Sequence, residues 1–135
     1  MRRGFVAICV AVLLVGCSSS SRHAETSVVT GFIEPCVGAR RSGPNPAPPY
    51  PAGTVTALRG VERLVRVGPG EQRVVLPTDV TARQHVIENQ RYQFELSPGR
   101  YVLAATYDEG NMRSFLDLTV PADAQLHANL PNLCK

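Results

Sequence analysis

Short stretches in which apolar and polar residues alternate fill the chain from Thr26 onward, and Gly and Pro separate them. The clearest stretch is Tyr92–Leu96, in which Tyr, Phe and Leu alternate with Gln and Glu. A strand with that period turns its apolar side chains to one face and its polar side chains to water. No stretch keeps the 3.6-residue period of an amphipathic helix. The pattern therefore predicts an all-β chain.

The alternation divides the chain into short strand candidates. They cover residues 27–33, 54–58, 61–67, 72–76, 79–89, 92–96, 101–107, 112–120 and 125–130, with a bend at Gly60. Residues 79–89 are ambiguous, because Thr, Val and Ile favour a strand whereas Asp79 could cap a helical turn; a strand is favoured. No helical segments separate the candidates, which excludes a parallel α/β sheet. The spacing predicts an antiparallel two-sheet β-sandwich of about seven strands.

A long loop rich in Pro and Gly interrupts this pattern at residues 36–53. Proline lacks the N–H that a sheet interior needs, so the loop has polyproline character. Arg40 and Arg41 precede the prolines and Tyr50 lies among them. Because a proline-rich segment is a preorganised ligand for aromatic grooves, these three residues are candidate partner-binding residues. A rigid spacer is the alternative interpretation.

The charge of the chain is weak and dispersed. Charged residues make up 19% of it, and 14 Lys+Arg stand against 11 Asp+Glu, for a net charge of +3. This balance argues against a nucleic-acid partner, which needs a clustered basic face. Four arginines flank one predicted hairpin: Arg59, Arg63, Arg66 and Arg73. Alternation would expose some of them to anionic lipid headgroups or acidic wall polymers, although a solvated, edge-protecting role is the alternative.

The N-terminus has the layout of an export signal. A basic head that contains Arg2 and Arg3 precedes an uncharged apolar run at residues 5–15. That run is too short to span a bilayer of roughly 30 Å as a helix, and it is typical of a secretory signal peptide.

The end of this segment, Leu14-Val15-Gly16-Cys17, resembles the bacterial lipobox. In proteins with that motif the chain is cleaved before the Cys, whose thiol carries diacylglycerol. The resemblance implies a lipoprotein signal peptide at 1–16, lipidated Cys17 with a flexible tether at 17–26, and a sandwich domain at 27–135. It also implies that the lipid holds the protein on the exported side of the bacterial cell membrane. An ordinary signal peptide followed by a chance Cys is the alternative.

The cysteines agree with export. Cys9 lies in the segment to be removed and Cys17 would carry lipid, which leaves Cys36 and Cys134. An even pair in an oxidising compartment predicts a disulfide, worth about 4–5 kcal/mol for so long a loop. In a reducing compartment the pair would be two small buried hydrophobes. No adjoining His gives them zinc-site spacing, so we expect neither a metal nor any cofactor besides the covalent acyl lipid.

A second resemblance concerns the sandwich. Residues 92–101, Tyr-Gln-Phe-Glu-Leu-Ser-Pro-Gly-Arg-Tyr, look like the F-x-F-x-L-x-P-G-x-Y strand–turn–strand of carboxypeptidase regulatory-like domains. Residues 52–58 and 116–120 resemble other strands of those prealbumin-like (transthyretin-like) sandwiches, whereas 44–51 and 79–89 depart from them. The resemblance covers about residues 27–130. It implies a non-catalytic module for stability, adhesion or binding.

Catalytic motifs are not found in the sequence. The G-x-S-x-G, S-x-x-K and H-E-x-x-H patterns and a phosphate-binding Gly-rich loop do not occur. We therefore expect a lipid-anchored interaction module of the cell envelope, with an envelope protein or glycan as its partner. One alternative is an enzyme that uses His85 or His127 with Asp117. The other is a small-molecule carrier, which needs an apolar cavity.

Overall fold

The computed structural model of the protein describes residues 25–35, 48–108 and 113–131. These residues form β-strands and no helix, so no helix among them could cross a membrane. The strands are β1 (Ser27–Gly31), β2 (Gly53–Arg59), β3 (Arg63–Gly68), β4 (Glu71–Val75), β5 (Asp79–Val86), β6 (Tyr92–Leu96), β7 (Gly99–Tyr107), β8 (Arg113–Val120) and β9 (Gln125–His127).

Seven of these strands form the two sheets of a sandwich, which confirms the predicted all-β two-sheet fold. One sheet has the order β6-β1-β9 and the other has the order β5-β2-β7-β8. Side chains from both sheets meet in one core, in which Val29 and Phe94 from the first sheet pack with Val55 and Leu103 from the second. The ambiguous segment is a strand as far as Val86, and it forms the edge of the four-stranded sheet.

The alternation seen in the sequence determines which side chains enter this core. In β6 the residues Tyr92, Phe94 and Leu96 are buried, whereas Gln93 and Glu95 are exposed. Burial of the apolar side chains on one face is the main favourable contribution to folding, at about 1.5–3 kcal/mol for each large residue.

One pairing differs from the antiparallel prediction. β9 pairs with β1 in parallel, because the chain crosses from β8 to the other sheet and enters it beside the start of β1, where Val28 N–H donates to Ala124 C=O. The parallel course continues beyond the strands. Ile33 and Leu130 form a parallel bridge, and Glu34 N–H donates to Leu130 C=O at 2.9 Å.

A buried hydroxyl fixes β9 against β1. The Tyr92 side chain is fully buried and its hydroxyl donates to the Ala128 carbonyl. Gly31 lies between them, and a Cβ at this position would overlap the Ala128 carbonyl oxygen and lie 2.8 Å from the Tyr92 hydroxyl. Only glycine leaves room for this contact between the two strands.

The predicted strands 61–67 and 72–76 do form a hairpin, but the prediction that they belong to the sandwich is wrong. β3 and β4 make a separate two-stranded sheet whose residues are exposed apart from Gly68. They continue the β2–β5 pairing beyond the sandwich, past an interruption at Gly60, whose φ is +127°, and Pro77. Alternation alone gives the same pattern whether or not a second sheet covers the strands.

Candidate functional site

A surface groove of about 310 Å³ opens at the end of the sandwich where β1 finishes. Four segments of the chain line it: the end of β1, the proline-rich segment, the turn before β6, and the end of β9. Its lining residues are Gly31, Phe32, Tyr50, Arg91, His127 and Asn129. We call it the Tyr50 groove.

Two stacked aromatic rings and a guanidinium form one side of the Tyr50 groove. The rings of Phe32 and Tyr50 are half-buried, with centroids 4.2 Å apart and planes at 17°. The guanidinium carbon of Arg91 lies 5.1 Å from the centroid of the Phe32 ring. Each such contact contributes about 0.5–1.5 kcal/mol, so the rings and the cation are held in place before any ligand binds.

Asn89 holds the backbone of Tyr50. Its N–H donates to the Tyr50 carbonyl at 2.9 Å, and its Oδ1 accepts the Tyr50 N–H at 3.0 Å. Asn89 has a φ of +61°, a left-handed conformation that asparagine adopts more readily than most residues. Through these two bonds the turn before β6 anchors the end of the proline-rich segment.

Polar side chains at the end of β9 and just after it complete the lining. Asn129 Oδ1 accepts the Phe32 N–H at 3.0 Å, and Asn129 Nδ2 donates to Glu34 Oε1 at 2.7 Å. His127 Nδ1 shares a hydrogen bond of 3.0 Å with Thr30 Oγ1. The carboxamide and the imidazole are therefore oriented by neighbours and remain exposed to solvent.

Two tyrosines at this end of the sandwich stay protonated at neutral pH. Burial raises the pKa of Tyr92 far above its usual range. Burial also raises the pKa of Tyr107; the nearby Ser114 hydroxyl partly offsets this rise, and the Glu34 charge adds to it. Both phenols therefore have structural roles at neutral pH.

The chemistry of the Tyr50 groove is that of a binding site. Among the residues that the structure describes, Arg91 has no carboxylate within ion-pair distance, so its exposed charge is available to an anionic ligand. The exposed aromatic surface, the imidazole and the carboxamide add apolar and hydrogen-bonding contacts. No group of three potential metal ligands occurs within the described ranges.

The structure places one of the predicted partner-binding residues in this groove, namely Tyr50. Arg40 and Arg41 lie outside the described residues, as do Cys17, Cys36 and Cys134. No local pattern marks Phe32, Arg91 or Asn129 as site residues, since they come from segments far apart in the chain.

The histidines and the aspartate of the enzyme alternative are not brought together. His85 Nε2 lies 2.7 Å from Asp108 Oδ2, and the two side chains are 53% and 45% exposed. His127 belongs to the other sheet and contacts Thr30. Asp117 lies on β8, at the edge of its sheet opposite to β5, which carries His85.

A second pocket of about 360 Å³ lies where the β3–β4 hairpin leaves the sandwich. Its lining runs from Arg59 to Arg63 and from Val75 to Asp79, without Glu62. Neither this pocket nor the Tyr50 groove is lined by a residue of the core cluster. Neither one is therefore the apolar interior cavity that the carrier alternative requires.

Comparisons of the chain with protein-family models, with curated proteins and with solved structures find no match. The lipobox and the carboxypeptidase regulatory-like resemblance therefore stay predictions.

Proposed function

We propose that this protein is a lipid-anchored, non-catalytic module of the bacterial cell envelope. Cys17 carries the lipid, residues 17–26 are the tether, and the sandwich binds an envelope partner through the Tyr50 groove. The proposal joins the export pattern of the sequence to the geometry of the described residues.

The observation that supports it most is the direction of β1. The strand begins at Ser27, next to the tether, and its last residue, Gly31, lines the Tyr50 groove. Five residues of strand span about 17 Å. A lipid anchor before Ser27 would therefore place one end of the sandwich near the membrane and the Tyr50 groove at the opposite end.

The parallel course of the two chain segments supports the predicted disulfide. Ile33 and Leu130 are bridged, and Cys36 and Cys134 follow them by three and four residues. Such short segments can bring two cysteines within the Cα separation of about 4.4–6.8 Å that a disulfide requires. The bond would fasten the chain on both sides of the groove.

The shape and charge of the groove favour a glycan with acidic groups over a folded protein. A volume of about 310 Å³ is at the lower end of small-ligand sites, whereas a protein partner usually covers about 800 Å² of surface. A sugar ring could pack on Tyr50 while its carboxylate or phosphate contacts Arg91. Such charge-assisted hydrogen bonds contribute about 1.5–3 kcal/mol each.

Labelling with palmitate tests the anchor. We expect the wild-type protein to incorporate labelled palmitate and to remain with the membrane fraction. The Cys17→Ala variant should lose the label and leave that fraction. An unlabelled wild-type protein, together with unchanged fractionation of the variant, would contradict the anchor.

Binding to the acidic wall-polymer fraction tests the groove. We expect Tyr50→Ala and Arg91→Gln each to weaken binding about tenfold or more, because each removes one contact of the kind described above. Ile87→Ala and Arg83→Gln are matched controls, since both residues are exposed but neither lines the groove. Equal binding by all four variants would exclude the Tyr50 groove as the binding site.

A further inference from the structure

The β3–β4 hairpin carries most of the large, exposed aliphatic residues of the described protein. Five of its residues are large and exposed: Leu64, Val65, Val67, Val74 and Val75. Leu64 is the most exposed of all, at 68%. Outside the hairpin only Val80 and Ile87 belong to the same class among the described residues.

No other described strand pairs with the hairpin. Within the described ranges β3 and β4 pair only with each other, so no described strand pairs with either long edge of this two-stranded sheet. An isolated two-stranded hairpin is at best marginally stable in water, and an exposed apolar edge favours association. These features indicate a surface that is covered when the protein functions.

The hairpin is a direct extension of the sandwich. Arg59 pairs with Asp79 at the end of the β2–β5 ladder, and Arg63 pairs with Val75 at the start of the β3–β4 ladder. Both pairs keep the same register, since each strand advances by four residues from one pair to the other. One β-ribbon therefore runs past the end of β2 and out of the sandwich.

The ribbon leaves the sandwich at the same end as the tether. At its base, Gly60 N–H donates to Arg100 C=O at 2.8 Å. Arg100 follows closely on Leu96, and Leu96 pairs with Ser27, the first residue of β1. The Tyr50 groove lies at the opposite end, beyond Gly31.

The charge of the ribbon complements an anionic surface. Its two strands contain three arginines, Arg63, Arg66 and Arg73, against a single acidic residue, Glu71. Alternation and pairing place arginine and aliphatic side chains on both faces of the ribbon. Long arginine side chains can keep their charge among lipid phosphates while neighbouring apolar groups enter the interface.

We propose that the β3–β4 hairpin is a second membrane contact, which inserts its aliphatic side chains into the headgroup region of an anionic bilayer. This inference rests on the proposed lipid anchor, which would keep the hairpin near the membrane and make its binding intramolecular. A second copy of the chain is a less suitable occupant, because two ribbons paired along their edges would bring two sets of arginines together.

A tryptophan probe tests the contact, because the chain contains no Trp. Leu64→Trp places the only tryptophan on the hairpin. Ile87→Trp is the matched control, since Ile87 is 65% exposed and lies beyond Val86, which pairs with Gly53 at the groove end of β2. Each native lipidated variant is reconstituted into phosphatidylglycerol or phosphatidylcholine vesicles, with and without brominated acyl chains.

We expect the Leu64→Trp emission to shift to shorter wavelength and to be quenched by brominated lipid in phosphatidylglycerol vesicles, whereas the Ile87→Trp emission stays unchanged. Adding Arg66→Gln to Leu64→Trp removes one arginine and should weaken the binding of the hairpin to phosphatidylglycerol vesicles about fivefold. A smaller fraction of the tryptophan should then be quenched. Arg83→Gln, outside the hairpin, should leave the quenching unchanged.

Flotation of the same samples separates this inference from the anchor. Floating protein with an unquenched Leu64→Trp would overturn the hairpin contact and leave the anchor in place. Protein that does not float would overturn the anchor, and the response of Leu64→Trp to excess phosphatidylglycerol vesicles would then decide the hairpin contact. If the Leu64→Trp emission shifts without lipid, and the shift grows with protein concentration, a second copy of the chain covers the hairpin and the membrane contact is overturned.

Discussion

The buried hydroxyl of Tyr92 provides a quantitative test of how β9 is held. Tyr92→Phe removes the hydrogen bond to the Ala128 carbonyl while keeping the ring in the core. Because the partner carbonyl is then left unsatisfied in a buried position, we expect the free energy of unfolding at pH 7 to fall by about 1–3 kcal/mol. Urea denaturation followed by circular dichroism measures this difference.

The same pair of proteins has a predictable pH dependence. Burial raises the pKa of Tyr92 in the folded state above its unfolded value of 10.0. Because the pKa is raised on folding, the contribution of protonated Tyr92 to the free energy of unfolding is fully present below pH 10. It is lost as the pH rises from there toward the folded pKa. At pH 11 the wild type should have lost about 1.4 kcal/mol through Tyr92, a loss that Tyr92→Phe cannot show.

The free energy of unfolding of the wild type minus that of Tyr92→Phe should therefore fall by about 1.4 kcal/mol between pH 7 and pH 11. Tyr107 contributes a loss of its own, but it is present in both proteins and cancels in the difference. If the two stability curves stay parallel up to pH 11, Tyr92 is not buried as a neutral donor, and the account of the β1–β9 junction is wrong.

Three further changes test other parts of the structure. Gly31→Ala should destabilise the fold by about 3 kcal/mol or more, since its Cβ would overlap the Ala128 carbonyl oxygen; a change below about 1 kcal/mol in urea denaturation would refute the close approach. Asn89→Gly keeps the left-handed turn and loses only the side-chain bond to Tyr50, so it should cost less stability than Asn89→Ala, by about 1 kcal/mol; the reverse order would be inconsistent with the φ of +61°. Replacing Arg63–Val75 by Asn-Gly should leave the melting temperature of the sandwich nearly unchanged, and loss of folding would show that the hairpin supports the core.

Much of the fold could be predicted because one physical signal, the alternation of apolar residues, carries it. Tyr92–Leu96 is predicted with its correct bounds and inward face, and Leu126 and Leu130 face inward as their alternation indicates. Alternation says nothing about which strands are neighbours. It therefore gave neither the parallel pairing of β9 nor the isolation of the β3–β4 hairpin.

The groove was harder to predict than the strands. Tyr50 is predictable as a candidate because it is an aromatic residue in a proline-rich loop, but the groove depends on its stacking with Phe32 and on the contact of Phe32 with Arg91. Those contacts are made by the fold, and no local pattern marks either residue. The pairing of His85 with Asp108 was missed for the same reason, since it joins the end of one strand to the end of another.

The intact mass of the native protein extracted from membranes tests the central proposal most directly. The proposal predicts a chain that begins at Cys17 and carries a diacylglyceryl group on the Cys17 sulfur. On reduction its mass should rise by two hydrogens, those of one disulfide between Cys36 and Cys134. A chain that still begins at Met1, with both distal thiols free, would contradict it.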